Sequence, residues 1–170
     1  IEQDDKVKAF INTHDLKDSD YINNHYVIMA TKKGQVVKTS LEKYSRPRAN
    51  GINAINIKDD DELLEAKLTT GNSQIMLAVK SGKAIRFEED KTRPLGRGAS
   101  GVRGIKLKNQ LDEVIGMVSV SDVNSDILVV SENGFGKRSS LDDYRITNRG
   151  FKVVKSISIT EKTGNLEALK

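Results

Sequence analysis

Cysteine is absent from this 170-residue chain, which removes disulfide frameworks and thiolate metal sites from consideration. The absence fits a reducing cytoplasm, the expected location. Histidine is almost missing too. His14 and His25 are too few and too far apart to suggest a metal centre. No apolar run approaches the roughly 18 residues that cross a bilayer, so no membrane partner is expected. The opening "IEQDDKVKAFI" is charged from the start, unlike a signal peptide. Proline occurs only at Pro47 and Pro94, both in connections between apolar runs. Aromatics make up 5% of the chain and do not interleave its basic clusters. A stacking platform for single strands or RNA bases would need them there. Helix signals are weak: "SLEKY" and "SLDDY" each suggest one turn.

Acid is also missing, but only locally. From Val36 to Ile57, Glu42 stands alone against Lys38, Lys43, Arg46 and Arg48. Three windows, Lys32–Lys58, Lys83–Lys106 and Gly134–Lys155, hold 20 of the 28 Lys and Arg but 6 of the 24 Asp and Glu. The net charge of +4 therefore conceals three strongly basic segments in an acidic remainder.

The sorting follows an internal repeat. "VIMATKKGQVVKTSLEKYSRPRANGINAINI", "IMLAVKSGKAIRFEEDKTRPLGRGASGVRGIKL" and "ILVVSENGFGKRSSLDDYRITNRGFKVVKSISI" align on Gly34, Gly82 and Gly134, at separations of 48 and 52 residues. Four places on stand Lys38, Arg86 and Arg138. Tyr44 and Tyr144 lie ten places on. Each unit closes on an aliphatic pair: Ile55/Ile57, Ile105/Leu107 and Ile157/Ile159. A further strand-like run ends each unit, in Asp59–Leu68, Leu111–Val120 and Thr163–Lys170. The opening Asp4–Ile11 looks like one of these closing runs.

Glycine between two apolar runs signals a tight hairpin, because it accepts positive φ without steric cost. The first strands are apolar at nearly every residue, as strands buried on both faces are. A period near 50 residues with about four strands per unit predicts an all-β, propeller-like array of four-stranded blades. Here it is a partial arc of about three and a half repeats. The expected boundaries are 1–20 for the tail of a preceding blade, then blades at 21–70, 71–122 and 123–170. The ends of the arc should expose apolar blade faces.

The repeat unit, with "RPLGRGASGVRGIKL" and "ENGFGKRSSLDDYRITNRG", resembles the C-terminal domain of the DNA gyrase A protein family along essentially the whole chain. The related topoisomerase IV domain is a less good fit. The resemblance implies a six-bladed β-pinwheel, in which blades exchange strands and a basic perimeter bends duplex DNA around itself. It further implies a bacterial A2B2 holoenzyme, made with the remainder of the gyrase A chain and with the gyrase B chain, and ATP-dependent negative supercoiling. ATP, Mg and the breakage tyrosine would lie on other parts of that holoenzyme, leaving no cofactor and no catalytic residue here. One departure concerns the family's basic glycine box. "TNRGFKV", Thr147–Val153, keeps only Arg149, Gly150 and Lys152 of it, and Phe151 and Val153 stand where glycines are expected.

Cations that neutralise phosphates release condensed counterions, so one basic cluster per blade would create a binding band along a rim. The candidate DNA contacts are Lys38, Arg46, Arg48, Arg86, Arg93, Arg97, Arg103, Lys137, Arg138, Arg145, Arg149 and Lys152. For Lys38, Arg86 and Arg138 a structural role remains open, through acids such as Asp142 or Glu88. Lys32, Lys33, Lys43 and Lys58 read equally well as solvated. The acidic runs Asp59–Glu62 and Asp112–Glu113 read as solvated turns away from the DNA. Contact should be with phosphate rather than with bases. Tyr144 beside Arg145 reads as packing, since Tyr44 shares its offset. "GRGASG" lacks the lysine and helix of a nucleotide loop. The alternative function is a propeller-like scaffold for an acidic protein partner.

Overall fold

A computed structural model describes residues 6–151 and 153–170. Three antiparallel units follow one another. The first contains β1 (Tyr26–Thr31), β2 (Gln35–Ser40) and β3 (Leu63–Thr69). The second contains β4 (Gln74–Val79), β5 (Lys83–Glu88), β6 (Val102–Arg103) and β7 (Val114–Val120). The third contains β8 (Asp126–Ser131), β9 (Gly136–Ser140), β10 (Val154–Lys155) and β11 (Leu166–Leu169). Each hairpin turns on the aligned glycine, and Gly34, Gly82 and Gly134 have φ of 84, 78 and 80°. A short 3-10 turn follows each second strand, at Leu41–Tyr44, Glu89–Lys91 and Leu141–Asp143.

The sheets are not the units. Their strand orders are β3-β1-β2-β6, β10-β5-β4-β7 and β11-β8-β9. In two cases a strand from one unit thus completes the sheet of the unit before, through Val36↔Val102 and Ala84↔Val154. The joints are alike in detail. Gly104 N donates to Gly34 O at 2.8 Å, and Ser156 N donates to Gly82 O at 2.9 Å. Among the described residues, β9 has no such neighbour on its outer side.

The period of two along a strand explains why β4 is apolar throughout. Ile75, Leu77 and Val79 pack with Ile28, Ala30 and Val36 of the first sheet. Met76 and Ala78 pack with Ile127, Val129, Leu141 and Leu166 of the third. Neighbouring sheets thus bury each other's faces. At one end of the stack Leu128 is left 43% exposed, as the arc predicts.

The other end differs from expectation. The described part of Asp4–Ile11 forms no strand. Ala9, Ile11 and Leu16 instead pack over Val27 and Met29. Behind them a single-turn helix, α1 (Ser19–Asn23), starts where Asp18 Oδ1 accepts from Asp20 N at 2.9 Å and Tyr21 N at 3.2 Å.

Candidate nucleic-acid interface

Two of the three repeated cations are not on the surface. Lys38 is buried in β2, with Nζ 2.9 Å from Glu89 Oε1 and 4.4 Å above the Tyr26 ring. Glu89 is fully buried and also accepts from Thr69 Oγ1 at 2.6 Å and Ser73 N at 3.1 Å. Arg86 is buried in β5. Its Nε donates to Gln74 Oε1 at 2.8 Å, and its Nη1 donates to Leu141 O at 2.8 Å and Tyr144 O at 3.0 Å. Burial lowers the Arg86 pKa from its ordinary value, while the charges of Asp142 and Glu88 oppose that shift.

These positions correct the sequence reading. β2 and β5 are interior strands, so a side chain four places past the glycine meets the next unit instead of solvent. Lys38 and Arg86 are struts between sheets and leave the candidate interface. Their partners are Glu89, Gln74 and backbone carbonyls; Asp142 and Glu88 act on Arg86 only through their charge. Arg138 holds the same place in the repeat but lies on the uncovered strand β9. Its side chain is 78% exposed, and its Nε stands 3.3 Å from Asp126 Oδ2.

The arginines of the connections are placed differently. β7 lies against β3 on one side and β11 on the other, so these three strands form the inner edges of their sheets. β6 and β10 form opposite, outer edges, and the basic connections carry them. Leu95 N donates to Lys38 O at 2.7 Å and Thr147 N donates to Arg86 O at 2.9 Å, while Pro94 and Ile146 bridge the same two struts. Arg93 and Arg145 each precede the bridging residue, so they occupy equivalent places. Arg46, which precedes Pro47, lies one place further from its glycine than Arg93 and Arg145 do from theirs. All three are exposed. Among the described residues, no carboxylate lies within 4.0 Å of Arg46, Arg48, Arg93, Arg97, Arg103 or Arg145.

Two clefts gather the cations. Lys43, Arg46, Arg48 and Arg97 line one, with Glu42, Pro47 and Ile52, and Glu42 Oε2 stands 3.0 Å from Lys43 Nζ. Behind it Tyr44 Oη donates to Ala54 O at 3.2 Å. Burial raises the Tyr44 pKa, against the opposing effects of Thr39 and the Arg97 charge. The other cleft brings Arg145 together with Lys83, Lys106 and Lys108. Those three lysines were missed from the sequence. Lys106 and Lys108 alternate with buried or half-buried Ile105 and Leu107, a strand-like pattern that marks them as outward-facing.

Other candidates are partly engaged. Arg149 is half-buried and clamps two carbonyls, with Nε 2.9 Å from Lys91 O and Nη1 3.1 Å from Arg103 O. Two of its donors are thereby withdrawn from phosphate. Lys137 Nζ lies 3.5 Å from Ser156 O, and Arg103 is exposed. Lys152 falls outside the described residues.

The acidic runs are also more than solvated turns. Asp61 Oδ1 accepts from Lys33 N at 2.8 Å. Buried Asp112 does the same one unit later, accepting from Ser81 N at 3.0 Å and Ser81 Oγ at 2.8 Å. Both carboxylates cap the residue before the hairpin glycine. Tyr144 is buried in the core, as its repeat offset suggests.

A family model described as the DNA gyrase C-terminal domain, a beta-propeller, matches residues 25–70, 74–121 and 125–166. The chain is 43% identical over 167 residues to the DNA gyrase A protein of Staphylococcus epidermidis, covering 98% of this chain and 18% of that protein. Identity to the Staphylococcus aureus counterpart is 42% over 168 residues, with the same shares covered. The chain thus spans less than a fifth of the length of these relatives. Among solved structures, the C-terminal domain of DNA topoisomerase IV superposes with a TM-score of 0.80 at 25% identity, over 86% of this chain and 46% of that one. The DNA gyrase A C-terminal domain does so with a TM-score of 0.72 at 25% identity, over 85% and 47%.

Proposed function

Since the chain belongs to the DNA gyrase C-terminal domain family, we propose that it binds duplex DNA along its outer edge and bends it around the stacked sheets. The observation that carries this reading is the recurrence of exposed Arg93 and Arg145 at one place per unit, beside β6 and β10. Arg46, Arg48, Arg97 and Arg103 extend the basic track, and the exposed Lys106 and Lys108 of the second cleft thicken it. Such a track matches a polyanion that carries one charge per roughly 1.7 Å of axis. No base-reading element is needed, so preference among sequences would come from how readily each one bends.

As part of a gyrase A chain in the bacterial cytoplasm, the domain would present wrapped DNA to the remainder of an A2B2 holoenzyme. ATP, Mg and strand breakage would belong to other parts of that assembly. Binding to duplexes of graded length, titrated against salt, tests the reading. Affinity should rise with length up to the wrapped span, and log K should fall linearly with log salt. A salt-independent affinity, or no binding at low salt, would overturn it.

A further inference from the structure

We propose that Phe151 is a wedge that enters the duplex at a bend, while Lys83, Lys106, Lys108 and Arg145 hold the flanking phosphates. The proposal rests on the DNA-binding reading above. Phe151 is 68% exposed although it carries one of the largest apolar side chains in the protein. The residues leading into it are firmly held. Arg149 clamps the Lys91 and Arg103 carbonyls, Gly150 N donates to Gly104 O at 2.6 Å, and Phe151 N donates to Asn148 O at 3.3 Å. Gly150, at φ 76°, makes the turn that presents the ring. Two residues on, Val153 packs against the core between the first two sheets. The ring is therefore exposed at the end of a segment braced through Arg149 and Gly150.

The surroundings identify the occupant. Phe151 lines one cleft with the four cations and with apolar Val79, Leu107 and Val153. The single acid there, Asp112, is turned toward the hairpin by Ser81 N and Ser81 Oγ. An apolar tip ringed by cations is complementary to a duplex, whose phosphates flank a stack of apolar base faces. Phenylalanine wedges enter between base steps and kink the helix. Pyrimidine–purine steps open most readily. A track for single strands would instead need several aromatics in succession. In the second unit, Ala99 stands three residues before the outer strand, where Phe151 stands in the third. The wedge is therefore peculiar to one unit.

The test uses the 170-residue chain and a duplex with central TA steps carrying 2-aminopurine, labelled at both ends for energy transfer. Wild type should raise the 2-aminopurine emission and shorten the end-to-end distance. F151A, which copies the second unit, should lose the emission rise and most of the bend, and bind about tenfold more weakly. Its log K against log salt slope should stay unchanged, because no phosphate contact is removed. F151W should restore both signals. K106Q/K108Q should lower the slope and leave the emission rise in saturated complexes. Wild type that binds the duplex without any emission rise, or F151A that matches wild type in emission and bend, overturns the wedge alone. A Phe151-dependent signal confined to single strands overturns it in favour of base stacking. Absence of salt-dependent duplex binding by wild type removes the DNA reading and the wedge together.

Discussion

Arg86 Nη1 lies 2.8 Å from the carbonyl oxygen of Leu141, a residue of the following unit. The same atom reaches Tyr144 O at 3.0 Å, while Nε and Nη2 hold Gln74 of its own sheet. A guanidinium with five donors in a fixed fork suits this bridge between a side-chain amide and two carbonyls. It locks the 3-10 turn of one unit to the second strand of the unit before.

Arg86→Ala would leave those acceptors buried without donors, and should cost about 2–4 kcal/mol of stability. The urea midpoint should fall accordingly. At a temperature where the variant stays folded, the salt dependence of its DNA binding should match wild type, because Arg86 does not reach the outer surface. Arg86→Lys should recover only part of the loss, since an ammonium cannot span both sides.

The first joint uses different chemistry at the same place. Lys38 meets the carboxylate of Glu89, where the second joint has Leu141 offering only its backbone carbonyl. Lys38→Met alone strands a fully buried carboxylate and should cost about 3–5 kcal/mol. Lys38→Met with Glu89→Leu removes both charges and should be much less destabilising than either single change. A double-mutant cycle in urea measures the coupling.

Much of this architecture is legible in the sequence. The aligned glycines, the apolar first strands and the one-turn signals after the first and third hairpins mark where the hairpins fall. The roles of Lys38 and Arg86 are hidden, because strand exchange decides which face of β2 and β5 is covered, and exchange leaves no mark in local pattern. Glu89 offered the one clue: an acid aligned with Leu41 and Leu141, where its neighbours in the repeat are core leucines. The caps by Asp61 and Asp112 were hidden for a similar reason. A carboxylate closing a hairpin some 30 residues earlier looks like any acid in a turn until the third strand is placed.

Gly34 and Gly82 are constrained by the exchange as well as by φ, whereas Gly134, on the uncovered hairpin, is constrained by φ alone. At Gly82 a Cβ would stand 2.6 Å from Ile157 O and 2.8 Å from Ile159 Cγ1, both on the segment that completes the second sheet. Gly82→Ala therefore combines left-handed strain with a backbone clash, and should cost about 2–4 kcal/mol. Hydrogen exchange should show the amides of Ser156 and Ile157 losing protection before those of β4.

Acid should loosen the start of β11. Glu132 Oε2 accepts from Asn165 N at 2.8 Å, which holds its carboxyl below the ordinary 4.5 and fixes the start of β11. The folded state thus binds this proton less well than the unfolded state does. The stabilisation is present above about pH 4.5 and is lost as pH falls through the lower folded value. Glu132→Gln should be less stable than wild type at neutral pH and converge with it in acid, read from denaturation midpoints across the pH series.

The sharpest separation of strut from interface comes from comparing cations at fixed repeat positions. Arg93 and Arg145 are exposed, have no carboxylate within 4.0 Å among the described residues, and lie one residue from the bridges at Pro94 and Ile146. Replacing either with Gln removes one charge without exposing a buried acceptor, so stability should change by less than about 0.5 kcal/mol. If each neutralises one phosphate, the slope of log K against log salt should fall by about 0.9 per substitution, and by about twice that in the double variant. The loss should be similar on unrelated duplex sequences, because a phosphate contact carries no base information. Arg93→Gln and Arg145→Gln that leave the slope intact would place the DNA track elsewhere on the surface, even if the protein still binds.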